Sequence, residues 1–242
     1  MTVLAIDSVT RSFGGFVAVD GVSLELNAGE LRGLIGANGA GKSTLLHLIY
    51  GRLRSDSGTI RFADTDVTSL PAHQRARLGM GLVFQVTSVF PDLTVEENLL
   101  LGALPKLPGQ PPSADRGEVD RVLELIELGG VRVRRARHLS HGEQRWLEIG
   151  MVLLTRPKLL LLDEPTSGMT RAESRSTAAL LRELQAASAA EAMIVVEHNI
   201  EFIRLVSDRV TVMHRGRVLA DGTIDEVQAN PDVQASYLGR RH

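Results

Sequence analysis

No cysteine occurs in the 242 residues, which excludes disulfides and thiolate metal sites and fits a reducing compartment. No apolar run approaches the ~18 residues that a membrane-spanning helix needs. Met1 to Asp7 lacks a basic stretch followed by a long apolar one, so no secretory signal is expected. The expectation is a cytoplasmic protein that can still dock on a membrane protein. A net charge of −2 leaves no basic excess, and no nucleic-acid partner is expected. The tightest arginine cluster, Arg132, Arg134, Arg135 and Arg137, is taken as a solvated face. Lysine is nearly absent as well, being confined to Lys42, Lys106 and Lys158.

One of those lysines falls where a phosphate needs it, in Gly36-Ala37-Asn38-Gly39-Ala40-Gly41-Lys42-Ser43-Thr44. The stretch follows the apolar run Leu31 to Ile35 and precedes Leu45 to Ile49, which gives strand, glycine loop and helix in that order. Consecutive backbone N–H groups and the positive end of a helix dipole then face one anion. On this reading Lys42 reaches the β- and γ-phosphates, Ser43 holds Mg²⁺ and Thr44 adds an α-phosphate contact.

The length allows one large α/β domain, or a core with a small subdomain. Residues 3–9 and 17–31 alternate as strands, and Phe13 beside Gly14-Gly15 is either a turn aromatic or a platform for adenine. A short strand follows at Thr59 to Phe62, then a helix over Pro71 to Leu78. The strand Gly81 to Phe84 ends at Gln85, which is placed for a Mg²⁺ or water contact. Helical patterning covers Thr94 to Leu101 and Glu118 to Leu128, with an exposed proline-rich loop between them over Ala103 to Gly117. Ser140-His141-Gly142-Glu143 has the form of a capping box, and also of an anion site at the head of the helix Glu143 to Leu154.

Leu159 to Leu162 is a fully apolar strand ending in Asp163-Glu164-Pro165. Asp163 is placed to bind Mg²⁺ and Glu164 to polarise the attacking water. After a helix over Arg171 to Ala189, the strand Met193 to Val196 ends in Glu197-His198-Asn199, where His198 could hydrogen-bond a γ-phosphate. A hairpin around Arg215-Gly216 follows, and then two short helices running to Leu238. The expected fold is α/β: a P-loop NTPase core of mixed sheet and flanking helices, with an N-terminal antiparallel β layer and an inserted helical subdomain. In one domain of 242 residues, the core takes 1–85 and 156–242 and the helical subdomain 86–155.

Taken together, these residues resemble the ATP-binding cassette (ABC) ATPase family over essentially the whole chain. Phe13 matches its adenine-stacking position, Gly36 to Ser43 its Walker A loop, and Gln85 its Q-loop. Leu139 to Glu143 matches the signature, Asp163-Glu164 the Walker B end, and His198 the switch histidine. The resemblance implies a head-to-tail pair of ATPase subunits, either two copies or this chain with a sister. Each ATP would lie between one P-loop and the other subunit's Ser140 and Gly142. It also implies an integral membrane permease, a solute-binding protein reached through that permease, and a place on the inner face of the cell membrane. His141 and Glu143 depart from the family's Leu-Ser-Gly-Gly-Gln, and Thr170 stands where an aspartate is usual.

Leu139 to Gly150, Ser167 to Thr170 and the ending Val233 to Gly239 look like importer ATPases for branched-chain amino acids, most closely their urea and short-amide branch. Two other readings are a soluble ABC ATPase acting on DNA or ribosomes, and the ATPase of a lipid or polysaccharide exporter. The chain has no coiled-coil insertion and no basic stripe to support the first.

Overall fold

The computed structural model describes residues 1–104 and 114–238; the expected proline-rich loop falls mostly at 105–113, outside the described residues. The chain forms two sheets. One is antiparallel, four-stranded, in the order β2-β1-β4-β5, built from β1 (Thr2–Phe13), β2 (Phe16–Asn27), β4 (Ser57–Phe62) and β5 (Thr65–Asp66). The other has six strands in the order β10-β9-β3-β8-β7-β6: β3 (Leu31–Gly36), β6 (Met80–Val83), β7 (Leu159–Asp163), β8 (Ala192–Val196), β9 (Arg209–His214) and β10 (Arg217–Gly222). All its pairings are parallel except β9 with β10.

The centre of the large sheet is buried on both faces, which is why β7 and β8 read as continuous apolar runs rather than alternating. Along β7, Leu159 and Leu161 join the core shared with the antiparallel sheet and α1 (Lys42–Tyr50). Leu160 and Leu162 point the other way, against α5 (His141–Leu153), α6 (Arg171–Ala186) and α7 (Ile200–Val206). All four leucines are fully buried, each contributing roughly 2 kcal/mol of apolar burial. A third, separate core unites α3 (Val95–Gly102), α4 (Arg116–Leu125) and part of α5 through Val95, Leu99, Val119, Ile126 and Leu147. The C-terminal helices are α8 (Ile224–Ala229) and α9 (Pro231–Leu238).

The helix α7 is not legible in the alternation, and its start is set by Asn199, whose side chain accepts the Phe202 N–H at 3.2 Å. The far end of α1 is fixed from α2 (Ala72–Leu78). There Arg75, 1% exposed, donates to the Leu48 and Ile49 carbonyls at 2.7 Å each and to the Leu70 carbonyl at 2.8 Å. Helix C-termini leave such carbonyls without intrahelical donors. Burial pushes the Arg75 guanidinium down to about 10.

Candidate functional site

Strand register brings the chemistry-bearing residues to one edge. Leu34 pairs with Val196 and Val196 with Asp163, while Val83 pairs with Leu162. The residues just past these points are the glycine loop, Glu197-His198, Glu164 and Gln85. This is the carboxyl edge of a parallel sheet, where α/β proteins place their ligands.

The glycine loop hands β3 to α1 without a side-chain cap, because Gly41 stands at the N-cap with φ 102°. A Cβ there would lie 2.3 Å from the Ala18 carbonyl oxygen, so backbone strain and crowding both require glycine. Lys42 is buried, and its Nζ donates to the Gly36 and Ala37 carbonyls at 2.8 and 3.2 Å. Burial lowers its pKa, opposed by the charges of Glu164, Asp163 and Glu197. The Ser43 hydroxyl donates to Asp163 Oδ1 at 3.3 Å. Burial raises the Asp163 pKa, against the pull of that hydrogen bond, and the Glu164 charge adds to the rise.

Glu164 has φ 45°, a left-handed conformation that costs a non-glycine residue on the order of 1 kcal/mol. Two hydrogen bonds hold it there: its N–H donates to the Val196 carbonyl at 2.9 Å, and its carbonyl accepts from Ser167 at 3.1 Å. The turn delivers its carboxylate to Gln85, whose Nε2 donates to Glu164 Oε2 at 2.9 Å. The Gln85 amide nitrogen therefore faces the acid, which leaves its oxygen for the metal or water contact expected from the sequence. His198 is mostly exposed, with Nδ1 3.9 Å from Glu164 Oε1 and 3.7 Å from Glu197 Oε2.

These groups surround a cleft of about 380 Å³ lined by residues 38–44 with Gln85, Glu164 and His198. Phe13, Ser140 and Gly142 do not line it. Phe13 stands at the tip of the β1–β2 hairpin, partly exposed, with the Arg11 guanidinium 4.8 Å over its ring. Ser140 caps α5: its Oγ accepts the Glu143 N–H at 3.2 Å and its own N–H donates to Glu143 Oε2 at 2.7 Å. At Gly142 an added Cβ would meet Glu173 Oε1 at 3.1 Å. The N–H and hydroxyl of Thr170, then the Ser140 hydroxyl and the Gly142 N–H, hold Glu173 below the usual carboxylate range.

Sequence reasoning missed three buried charges beside the site. Glu197, fully buried, accepts the Thr166 N–H at 3.0 Å and the His198 N–H at 3.1 Å. It thereby ties the segment after Glu164 to the strand end carrying His198. Its signal was its position, an acid directly after an apolar strand and next to His198. Arg145 and Glu148 lie inside α5; charges on the inward face of an otherwise apolar helix were the clue.

A glycine loop between a parallel strand and a helix, with a tethered lysine and an acid pair at the end of the strand one beyond its neighbour in the sheet, defines a P-loop nucleotide-binding site. The ABC transporter family model matches residues 19–167, and the model described as branched-chain amino acid ATP-binding cassette transporter matches 217–242. The chain belongs to the ABC transporter family, as an ATP-binding, ATP-hydrolysing subunit.

The high-affinity branched-chain amino acid transport ATP-binding protein LivG of Salmonella typhimurium is 35% identical, over 98% of this chain and 97% of that protein. BraF of Pseudomonas aeruginosa, with the same description, is 33% identical over 98% of each chain. A solved ATP-binding cassette of an ABC transporter in its ADP conformation superposes with a TM-score of 0.88 at 31% identity, covering 99% of this chain and 100% of that one. Among the described residues no helix is long and apolar enough to cross a membrane.

Proposed function

We propose that this chain energises a transporter for branched-chain amino acids, working as one of a head-to-tail pair of ATPase subunits seated on a membrane permease at the inner face of the membrane. The observation that carries the chemistry is the convergence of Lys42, Gln85, Glu164 and His198 on one cleft at the sheet edge. The solute assignment is supported by the branched-chain match at 217–242 and by the descriptions of LivG and BraF. The urea and short-amide reading rests on sequence resemblance alone.

The loop 36–44 receives the ATP phosphates, and the Lys42 ammonium, already anchored by two carbonyls, needs little reordering to meet them. Among the described residues no group of three or more acidic, histidine or cysteine side chains could hold a metal. A hard cation that keeps waters and takes phosphate oxygens needs only one or two protein oxygens, and the adjoining Ser43 hydroxyl and Asp163 carboxylate suit it. With Gln85 they would hold Mg²⁺, whose chemistry there is to neutralise charge on the phosphate oxygens.

Glu164 orients the attacking water and accepts its proton, with Gln85 fixing one carboxylate oxygen. His198 donates to the γ-phosphate, and Phe13 stacks on adenine. Ser140 and Gly142, outside this chain's own cleft, serve the ATP of the second subunit. ATP then stabilises the closed pair because it binds that state better than the open one. The division into a core of 1–85 with 156–242 and a helical subdomain of 86–155 fits the separate third core, and the segment 85–101 that joins them faces the permease.

Glu164→Gln is the test. It should leave ATP binding intact and lower kcat by about 100-fold or more; wild-type hydrolysis in that variant would overturn the site assignment. Loss of leucine uptake on deletion of the gene, restored by the wild-type chain, tests the solute.

A further inference from the structure

The signature helix α5 carries a buried ion pair that the proposed chemistry does not use. Arg145 is 2% exposed and Glu148 is 4% exposed, and Arg145 Nη1 lies 2.9 Å from Glu148 Oε2. The same guanidinium donates through Nη1 to the Phe84 carbonyl and through Nη2 to the Gln85 carbonyl, the latter at 2.6 Å. Two consecutive backbone carbonyls at the end of β6 are thus held by one planar fork, a geometry a lysine cannot reproduce. The Phe84 ring is fixed separately by the Arg52 guanidinium 4.4 Å from its centroid. Burial pushes the Glu148 carboxyl up, against Arg145 and the Phe84 and Ser88 N–H groups.

Burying a charge pair costs desolvation that an apolar pair of similar volume avoids, so stability alone gives no reason for Arg145 to sit here. What the fork does is specify the backbone of Phe84 and Gln85. The Gln85 side chain, leaving that backbone, reaches Glu164 Oε2 at 2.9 Å. A continuous chain of contacts therefore runs from α5 through Arg145 to Gln85 and on to the acid in the cleft. Ser140, which the proposed function assigns to the second subunit's ATP, begins the same helix.

We propose that Arg145, neutralised by Glu148, is a positioning residue that sets Gln85, and through it Glu164, according to where the signature helix lies. This rests on the roles given above to Gln85 and Glu164. The fork makes hydrolysis answerable to the helix that engages the partner's nucleotide.

The test uses the full-length chain with ATP. Arg145→Met/Glu148→Leu replaces the pair by apolar side chains of similar volume and should fold with a near-native Tm. Its kcat should fall at least about tenfold with ATP Kd unchanged. Adding Gln85→Ala should lower kcat little further, because residues acting in series are not additive. Should the double variant fail to fold, Arg145→Lys decides: it keeps the ion pair but loses the fork, and should be folded with kcat reduced several-fold. Wild-type kcat in either folded variant, or fully additive loss with Gln85→Ala, overturns the proposal. Failure of the underlying site reading shows separately, as undiminished hydrolysis in Glu164→Gln.

Discussion

Two helices of this protein have N-termini proposed to meet phosphate, and they are built in opposite ways. At α1 the N-cap is Gly41, no side chain caps the helix, and the preceding loop lines the cleft. At α5 the N-cap is Ser140, and Ser140 with Glu143 forms a complete capping box. An uncapped N-terminus leaves its N–H groups and the positive end of the dipole for a ligand. A capped one has already used its backbone donors, and here the Ser140 hydroxyl and the Gly142 N–H are turned to Glu173, from which a phosphate would have to take them. The first is a site whose parts lie next to one another in one chain. The second is a stable helix end that, on the proposed head-to-tail pairing, becomes half a site only when another subunit supplies the nucleotide.

The sharpest way to break the comparison is at Gly41. A methyl group there meets a backbone carbonyl oxygen at 2.3 Å in a φ 102° conformation, so Gly41→Ala must displace the loop. ATP affinity by calorimetry should fall by about 100-fold or more, equivalent to roughly 2.7 kcal/mol. Ser140→Ala should behave the other way in the isolated chain. It removes the acceptor for the Glu143 N–H and should lower stability by about 1 kcal/mol in thermal or urea unfolding. Because Ser140 does not line this chain's cleft, ATP binding to the unpaired subunit should be unchanged. A matching loss of affinity in the lone subunit would show that the signature serves its own nucleotide.

The same contrast explains what was legible in the sequence. The loop 36–44 carries its geometry in adjacent residues, so spacing alone gave its strand, turn and helix. The apolar runs of β7 and β8, each ending in an acid, were equally plain, because burial on both faces removes alternation. The partners of Glu197, Arg145 and Arg75 were not legible, since each acts on backbone far away in sequence. Arg75 meets Leu48 and Ile49, Arg145 meets Phe84 and Gln85, and Glu197 meets Thr166. No local period announces a side chain whose partner is decided by how helices and strands pack. Gln85 shows the intermediate case: its place at a strand end was readable, but its hydrogen bond to Glu164 depended on β6 and β7 lying side by side.

The smallest expected effect concerns the helices that are closed by their own caps. In α3, α6 and α8 a threonine N-cap pairs with a glutamate three residues on: Thr94 with Glu97, Thr170 with Glu173, and Thr223 with Glu226. Hydrogen bonds from the threonine N–H and hydroxyl hold Glu97, Glu173 and Glu226 below the usual 4.5. Because the folded-state pKa is depressed, their contribution to stability is complete above the unfolded value of about 4.5. It is lost as pH falls through the lower folded value. Exchanging Glu97 and Glu226 for glutamine keeps a side-chain acceptor in each box and removes the titration. Tm should therefore decline less steeply between about pH 5 and pH 3 in that variant than in the wild type. An identical slope would mean that these caps contribute nothing to acid sensitivity. Neither substitution touches α1, whose open N-terminus has no such acid to protonate, so the ATP affinity of the variant should match the wild type at neutral pH.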